Sequence, residues 1–523
     1  MSKRRRTNLG FVSLIAALAG ACSLAACGSD DDSGGKAGSA GESGEAGESA
    51  GGSHAGSAGK SGSSNGGSAQ AGSAGSGETG GSSAGNSSGG SSAGNSGSGN
   101  SGEGGSAGAT PSEAGMGGEA GAATLPWTVA PELKALSPLP ALPPDPTNKY
   151  VDNSGAAIFG QQLFFDKRYS GALTVQSDLG NVGDTGKVAC ASCHSGGAMS
   201  DGRDPFKVTV GTGTHTRNAP ALVNSSFYEW TNWGGRFAAQ WELPLAVAEN
   251  AVTMASTRLK LAHFIYDNYK VPYETVFGTL PPALAANATD AGRFPASGKP
   301  GDATWTGMTA EDQDAVNLII VNYGKAIQAY LRKLVSRNAP FDQYVASGGG
   351  NLSESAIRGA QLFVGKAQCT QCHSGPFFTD NKFHNLGGLG PDDGRFKDAG
   401  ALKASALNID GKFSDKVDTG RLANLTNPMT DLTTHSAFRT ASLREVKDTA
   451  PYMHNGQLET LEDVVAFYNA GGGAVDAGSA AGTTKDPLLT PLGLSPTEQA
   501  DLVEFLKTLS GEPVPSALTK PLP

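Results

Sequence analysis

The feature that most constrains this chain is a five-residue pattern, Cys-x-x-Cys-His, that occurs twice. One copy runs from Cys190 to His194 and the other from Cys369 to His373. In c-type haem attachment, two thiols at this spacing form thioethers to the porphyrin, and the adjacent imidazole binds the iron. The pattern therefore predicts two covalent haems. The attachment and axial residues are Cys190, Cys193 and His194 for one haem and Cys369, Cys372 and His373 for the other.

Three other chemistries use paired cysteines: a disulfide, a zinc site shared by both pairs, and a redox-active Cys-x-x-Cys. None of them requires a histidine directly after the second cysteine, and here one follows both pairs. The chain has 6 cysteines, and the two outside the motifs, Cys22 and Cys27, lie near its start. The motif cysteines are therefore best explained by haem attachment.

The start of the chain has the composition of a secretory signal. A basic stretch is followed by an apolar run from Leu9 to Ala21, too short to span a membrane, and then by small residues. These end at Cys27 in a pattern that resembles a bacterial lipobox; Cys22 is a weaker candidate, and ordinary secretory cleavage is the alternative. We expect residues 1–27 to be a lipoprotein signal peptide, with lipidation at Cys27 and no other membrane contact.

This signal predicts export to the periplasm or the cell surface, where c-type haem is attached. Gly28 follows Cys27, in place of the aspartate that commonly retains lipoproteins at the inner membrane. The outer membrane is therefore the expected place of the anchor. Residues 28–124 are almost entirely Gly, Ser, Ala, Asn and Glu. Such a segment buries too little apolar surface to offset its ordering entropy, so it predicts a disordered tether.

The remaining residues favour helices. Thr309 begins a capping pattern, and Ser495 and Pro496 begin a stronger one that ends at Gly511. Apolar residues follow Thr309 at helical spacing: Val316, Ile319, Ile320, Tyr323, Ile327, Leu331 and Leu334. One attachment motif falls early and one late, which suggests one haem per domain. We predict a mainly α protein with two cytochrome c-like domains, residues 125–345 and 346–523.

Charge narrows the range of partners. The formal net charge is -10, and no basic cluster remains once the signal is removed, so nucleic acid is not an expected partner. An acidic surface suits a basic electron donor, but ordinary solubility explains it as well.

Several ordered motifs surround the two attachment sites and span nearly everything after the tether. They are Phe159-Gly160-Gln-Gln-Leu163-Phe164-Phe165-Asp166, Arg217-Asn218-Ala219-Pro220, Trp233-Gly-Gly-Arg236, Phe383-His384-Asn385-Leu386-Gly387, Thr440-Ala-Ser-Leu443-Arg444 and Ala450-Pro451-Tyr452-Met453-His454-Asn455-Gly456. Together they resemble the motifs of one protein family, the bacterial di-haem cytochrome c peroxidases and their relative MauG.

The resemblance implies two helical cytochrome c domains that face each other, with a tryptophan carrying electrons between their haems. It makes His194 the ligand of the N-terminal haem, which reacts with peroxide, and His373 the ligand of the C-terminal haem, which transfers electrons. Trp233 matches the bridging tryptophan, although a core aromatic is the alternative. Family members also dimerise, so the resemblance allows a homodimer.

The same resemblance implies a calcium ion between the domains. Asn218 and the carbonyls of Thr449 and Pro451 fall where the family holds it, and oxygen ligands from separate segments suit a hard cation.

The family differs within itself at the second axial ligand of the C-terminal haem. Classical peroxidases have a methionine there and MauG has a tyrosine, and counting forward from His454 leads to Tyr468. Leu461, Val465 and Tyr468 share one helix face. Tyr468 is therefore the expected ligand, with a hydrogen-bonded core tyrosine as the alternative and Met453 as the rival ligand. A phenolate would stabilise oxidised iron, whereas a thioether raises the potential.

On the distal side of the N-terminal haem, the chain departs from the peroxidase pattern. Val210 stands where many classical members have a capping histidine, and His215 is out of register. We expect this haem to be open, unless a different loop brings His215 to it.

The catalytic acid is also replaced. The family's glutamate and its helper glutamine fall on Thr253 and Leu243, in a segment whose other residues match. Heterolysis of peroxide needs a group that moves a proton between its oxygens. Glu249 lies one helical turn before Thr253 and is the remaining candidate; a solvated helix charge is the alternative.

Two functions follow. The first is an enzyme that uses hydrogen peroxide at the N-terminal haem, with electrons from a small cytochrome c or copper protein, or from a protein substrate as in MauG. The second is a non-catalytic, tethered di-haem electron-transfer protein that lost turnover with its acid.

Overall fold

Helices supply nearly all the regular structure. The computed structural model describes residues 129–523 except 202, 204–206, 424, 426–430 and 478. The helices are α1 (Pro131–Lys134), α2 (Ser154–Phe165), α3 (Cys190–Cys193), α4 (Leu243–Glu249), α5 (Arg258–Phe277), α6 (Ala303–Thr306), α7 (Ala310–Leu331), α8 (Pro340–Ser347), α9 (Glu354–Val364), α10 (Arg395–Ala404), α11 (Thr419–Ala423), α12 (Leu461–Asn469) and α13 (Pro496–Lys507). The mainly α prediction is confirmed.

In the part of the chain that the structure describes, strand structure is limited to one short pair. β1 (Phe383–His384) and β2 (Phe438–Arg439) are antiparallel, with Phe383 opposite Arg439. No helix of the described residues is long and apolar enough to cross a membrane. The predicted signal peptide, Cys27 and the whole of the predicted tether lie outside the described residues and stay predictions.

Capping chemistry sets where the long helices begin, as the sequence predicts. The hydroxyl of Thr309 accepts the N–H of Asp312 at the start of α7. At the start of α13, Ser495 and Glu498 form a complete capping box. The predicted apolar face of α7 is buried, but so is the rest of its second half, because α2, α4 and α5 all pack against it.

Two hydrophobic cores form around two pairs of crossing helices. In the first, α2 crosses α7, and a Cβ on Gly160 would lie 2.0 Å from the carbonyl oxygen of Ala326. In the second, α9 crosses α13, and a Cβ on Gly359 would lie 1.9 Å from the carbonyl oxygen of Asp501. Only glycine permits such close approach of two helix backbones. The two halves of the folded chain thus repeat one helix-crossing design.

The two ends of the described chain cross over between these cores. Val129, Leu133 and Leu136 pack into the second core, whereas Leu518 packs against the first. The side-chain amide of Gln161 in α2 donates to the carbonyls of Ala517 and Lys520, at 2.7 and 2.9 Å. Each core is therefore completed by residues from the far end of the sequence. The predicted division into residues 125–345 and 346–523 stays a prediction, with its boundary inside α8.

Candidate haem sites and the contacts between them

The first attachment motif forms a short helix that ends at its histidine. The main-chain N–H of His194 donates to the carbonyl of Cys190, at 3.1 Å, and closes the turn of α3. The ring Nδ1 of His194 lies 3.1 Å from the carbonyl of Met199. A histidine held in this way through Nδ1 presents its other nitrogen, Nε2, as a ligand.

The second motif has the same geometry. The main-chain N–H of His373 donates to the carbonyl of Cys369, at 2.8 Å, and its Nδ1 lies 3.1 Å from the carbonyl of Phe378. In both motifs the carbonyl that holds the ring comes from the fifth residue after the histidine. Burial lowers the pKa of His194 and of His373, which favours the neutral imidazole that binds a metal.

The alternatives to haem attachment do not fit these cysteines. All four are free, so no disulfide joins them. Among the described residues, the one cluster able to hold a metal is Cys372 with Asp380 and His384, so the two pairs do not share a zinc ion. Burial raises the pKa of Cys190 to about 11 and that of Cys369 to about 12, the opposite of a redox-active thiolate.

A mostly apolar cavity of about 280 Å³ lies beside the second motif. The cavity brings together Cys369, Cys372, His373 and both predicted axial candidates, Met453 and Tyr468. Residues from the first half also line it, among them Asn218 and Trp233. The residues present therefore fit a haem held by the second motif and contacted from both halves of the chain.

Tyr468 lies in the last turn of α12. Its hydroxyl makes no hydrogen bond to any part of the chain that the structure describes, whereas a buried tyrosine in a core usually has such a partner. Burial, with the nearby sulfurs of Cys372 and Cys369, raises the pKa of Tyr468. The side chain therefore offers the cavity an unpaired phenol oxygen.

Met453 reaches the same cavity from a strained position in the backbone. Its φ is +69°, in the left-handed region that non-glycine residues seldom adopt. The cis peptide bond Ala450-Pro451 and the stacked pair of Phe438 on His454, with ring centroids 3.7 Å apart, lie in the same region.

Trp233 is hydrogen-bonded to Asn218, and Asn218 is in turn hydrogen-bonded to the second half of the chain. Its indole Nε1 donates to the carbonyl of Asn218, at 2.7 Å. The N–H of Asn218 in turn donates to the carbonyl of His454, at 2.6 Å, and its side-chain amide meets the carbonyl of Pro451, at 3.1 Å. The predicted calcium residues all line the cavity beside the second motif: Asn218, Thr449 and Pro451.

The loops predicted to lie on the distal side of the first haem come together beside α3. The guanidinium of Arg203 lies 3.9 Å from the sulfur of Cys193 and donates to the carbonyl of Val210. The N–H of Thr212 donates to the carbonyl of Thr253, at 3.0 Å. Val210 and Thr253 thus lie on adjacent turns of chain near the first motif.

The other two candidates on this side, Glu249 and His215, both accept hydrogen bonds from arginines. Both carboxylate oxygens of Glu249 accept hydrogen bonds from Arg258, at 2.9 Å each. The Nδ1 of His215 accepts the main-chain N–H of Arg217, at 3.1 Å. Glu249 is therefore neither the solvated charge considered as an alternative nor an unpaired acid next to Thr253.

Two groups at the site were missed by the sequence analysis. His384 lies between two carboxylates, with Nδ1 2.6 Å from Asp486 and Nε2 3.0 Å from Asp380. Contact with the sulfur of Cys372, and then with Asp486 and Asp380, raises the pKa of His384 to about 10. The other group is Arg395, at the start of α10. Asp380 is close to His384 in the sequence, but Asp486 comes from a distant loop, so no local pattern links both carboxylates to the histidine.

Two helical cores, each with a Cys-x-x-Cys-His motif packed against it, are typical of c-type di-haem proteins. A family model described as di-haem cytochrome c peroxidase matches residues 155–349. The cytochrome-c peroxidase IdrP1 of Denitromonas iodatirespirans is 33% identical over 394 residues, which cover 72% of this chain and 86% of that protein. The chain therefore belongs to the di-haem cytochrome c peroxidase family.

Other relatives agree with this assignment. The methylamine utilization protein MauG of Methylorubrum extorquens is 28% identical over 400 residues, covering 74% of this chain and 87% of MauG. A variant of the diheme peroxidase BthA from Burkholderia thailandensis shares the fold, with a TM-score of 0.50 at 19% identity over 72% of this chain and 90% of BthA. The chain is a peroxidase-type oxidoreductase, and its family implies two haem c groups and hydrogen peroxide as a substrate.

Proposed function

We propose that this protein reduces hydrogen peroxide at the haem held by His194, with electrons that enter through the haem held by His373. The observation that carries this division of roles is the contact between Trp233 and Asn218. The carbonyl of Asn218 accepts the indole N–H of Trp233, at 2.7 Å, and the main-chain N–H of Asn218 donates to the carbonyl of His454 in the second half of the chain, at 2.6 Å. Trp233 is the proposed bridge for electrons between the two sites.

Tyr468 is the proposed second axial ligand of the C-terminal haem. Its hydroxyl is unpaired within the described residues and lies in the wall of the haem cavity, which disfavours the alternative of a hydrogen-bonded core tyrosine. Met453 lines the same cavity and is the competing ligand. Oxygen ligation favours oxidised iron and chemistry of the MauG kind.

Calcium is proposed at Asn218, Thr449 and Pro451. The side-chain amide of Asn218 lies 3.1 Å from the carbonyl oxygen of Pro451 with its nitrogen toward that oxygen. A half-turn of the amide would place its oxygen there instead, and a cation would then bind both oxygens.

One observation favours the second candidate function, a tethered electron-transfer protein without turnover. Thr253 replaces the acid of the family, and both carboxylate oxygens of Glu249 accept hydrogen bonds from Arg258. The chain therefore lacks a free carboxyl at either position for proton movement during peroxide cleavage.

The electron donor, in this proposal, is a small cytochrome c or copper protein, or a protein substrate in its place. The protein acts from the periplasm or the cell surface, anchored through Cys27, as a monomer or a homodimer. Residues 28–124 form its tether.

Mixing the haem-loaded protein with peroxide and a reduced cytochrome c separates the two functions. Peroxide-dependent oxidation of the donor, at a rate that rises with enzyme concentration, supports the peroxidase. If peroxide changes neither the haem absorption bands nor the donor, while the donor still reduces the C-terminal haem, the electron-transfer function is correct.

A further inference from the structure

A buried arginine, Arg395, holds the main chain of the loop that carries Trp233. The guanidinium Nη1 of Arg395 donates to the carbonyls of Gly234 and Gly235, at 3.2 and 2.7 Å. These are the two peptide oxygens that follow the tryptophan. Arg395 is the first residue of α10, distant from Trp233 in the sequence.

The guanidinium of Arg395 is placed by aromatic rings. Arg395 is 5% exposed, and its guanidinium carbon lies 4.1 Å from the ring centre of Phe383 and 4.8 Å from that of Trp230. Within the described part of the chain, no carboxylate forms a salt bridge with it. Burial of a cation is costly, and here ring faces and peptide oxygens offset that cost. A side chain that served only to fill space would not need this charge.

Glycines let α10 approach the loop. The φ of Gly235 is +67°, and a Cβ there would lie 2.4 Å from the ring of Phe383. A Cβ on Gly234 would lie 2.1 Å from a carboxylate oxygen of Asp398, one turn after Arg395. Asp398 also accepts a hydrogen bond from Arg217, at 2.7 Å. The start of α10 thus contacts the loop through two side chains on one face.

Trp233 itself is also held, through both its indole and its main chain. Its Nε1 is bound to the carbonyl of Asn218, and the carbonyl of Trp233 accepts the N–H of Arg439, at 2.8 Å. With the next two carbonyls bound to Arg395, three consecutive peptide oxygens, from Trp233 to Gly235, have fixed donors. The plane of the indole is therefore set by groups on both sides of the loop.

We propose that Arg395 is a positioning residue for electron transfer between the two haem sites, because it fixes the loop on which Trp233 stands. The inference rests on the proposed role of Trp233 as the bridge. In the step concerned, one electron leaves the C-terminal haem and one is gained at the N-terminal haem; no bond forms or breaks. The rate of electron transfer depends on where the bridging ring lies, so a shift of the loop should slow it.

The test uses the haem-loaded protein and two substitutions of Arg395. Arg395→Met removes the donors, and Arg395→Lys keeps the charge but replaces the planar fork by a single ammonium that does not hold both carbonyls in the same way. Electron transfer between the haems is followed by rapid mixing of the reduced protein with peroxide, through their separate absorption bands. We expect both variants to slow this transfer by about 10-fold or more, with two haems still attached and an unchanged peroxide-binding rate.

Arg337→Met is the matched control. Arg337 also donates to two consecutive carbonyls, those of Leu139 and Pro140, and its guanidinium carbon lies 5.7 Å from the ring centre of Phe227. Arg337 thus makes the same two kinds of contact as Arg395, with carbonyl oxygens and an aromatic ring, but it does not contact the Trp233 loop. Its loss should leave the transfer rate unchanged.

Trp233→Phe separates failure of this inference from failure of the proposed bridge. If Trp233→Phe leaves the transfer rate unchanged, the bridge itself is wrong. If Trp233→Phe slows transfer and Arg395→Lys does not, the bridge stands and the positioning role of Arg395 is wrong. If Arg395→Met yields no haem-loaded protein, Arg395→Lys decides the question alone.

Discussion

The indole nitrogen of Trp233 lies 2.7 Å from the main-chain oxygen of Asn218, whose own N–H is bound to the carbonyl of His454. We expect Trp233→Phe to slow donor-driven turnover by roughly 10- to 100-fold, because the bridging ring and its anchor are both changed. Stopped-flow oxidation of a reduced cytochrome c measures this rate. Haem content should not change, and a variant that turns over at the wild-type rate would exclude Trp233 from the electron path.

Tyr468→Phe should change the absorption spectrum of the C-terminal haem and raise its reduction potential, because an oxygen ligand that stabilises oxidised iron is lost. Met453→Leu should leave both unchanged. A spectroelectrochemical titration of the two variants measures these quantities. The opposite pattern, with an effect of Met453→Leu alone, would identify the methionine as the ligand.

Thr253→Glu restores the family's acid beside the first haem motif. We expect the reaction with peroxide to become faster by roughly 10²–10⁴-fold, the usual contribution of a positioned proton carrier. Thr253→Gln is the control, since it has a similar size and cannot carry the proton. An equal gain in the two variants would show that shape, and not proton transfer, limits the native protein.

Glu249→Gln should reduce stability, because Glu249 is bound to Arg258 through both oxygens, at 2.9 Å each. For a charge-assisted pair that is mostly buried, we expect a loss of about 1–3 kcal/mol in the free energy of unfolding. Urea denaturation measures it. Peroxide reactivity should stay the same, and a variant that keeps its stability and loses reactivity would instead make Glu249 the working acid.

Gly359→Ala tests the crossing of α9 and α13. An added Cβ would lie 1.9 Å from the carbonyl oxygen of Asp501, so the helices must separate, at a cost of about 1–3 kcal/mol or more. The midpoint temperature of thermal unfolding and the haem content should both fall. Gly420→Ala is the control, because a Cβ there meets its nearest atom, in Asp418, at 3.7 Å.

Local patterns predict local structure in this chain. The caps at Thr309 and Ser495 begin helices where expected, and both attachment motifs hold their histidines through Nδ1 in the same way. The contacts of Trp233 were not predictable, since Arg395 and Asp398 reach its loop from a distant helix. One signal was present but not used: Gly-x-Gln-Leu-Phe occurs at Gly160 and again at Gly359, the two helix crossings.

The crossed ends of the chain have a consequence for its biosynthesis. Ala517 and Lys520 are synthesised long after α2, yet their carbonyls bind Gln161 in that helix. The first core, against which Cys190 packs, therefore cannot reach its final packing until residues up to Lys520 have been synthesised. Domains generally fold from the N-terminus onward during synthesis, but this half has to wait for residues of the second half before it packs fully.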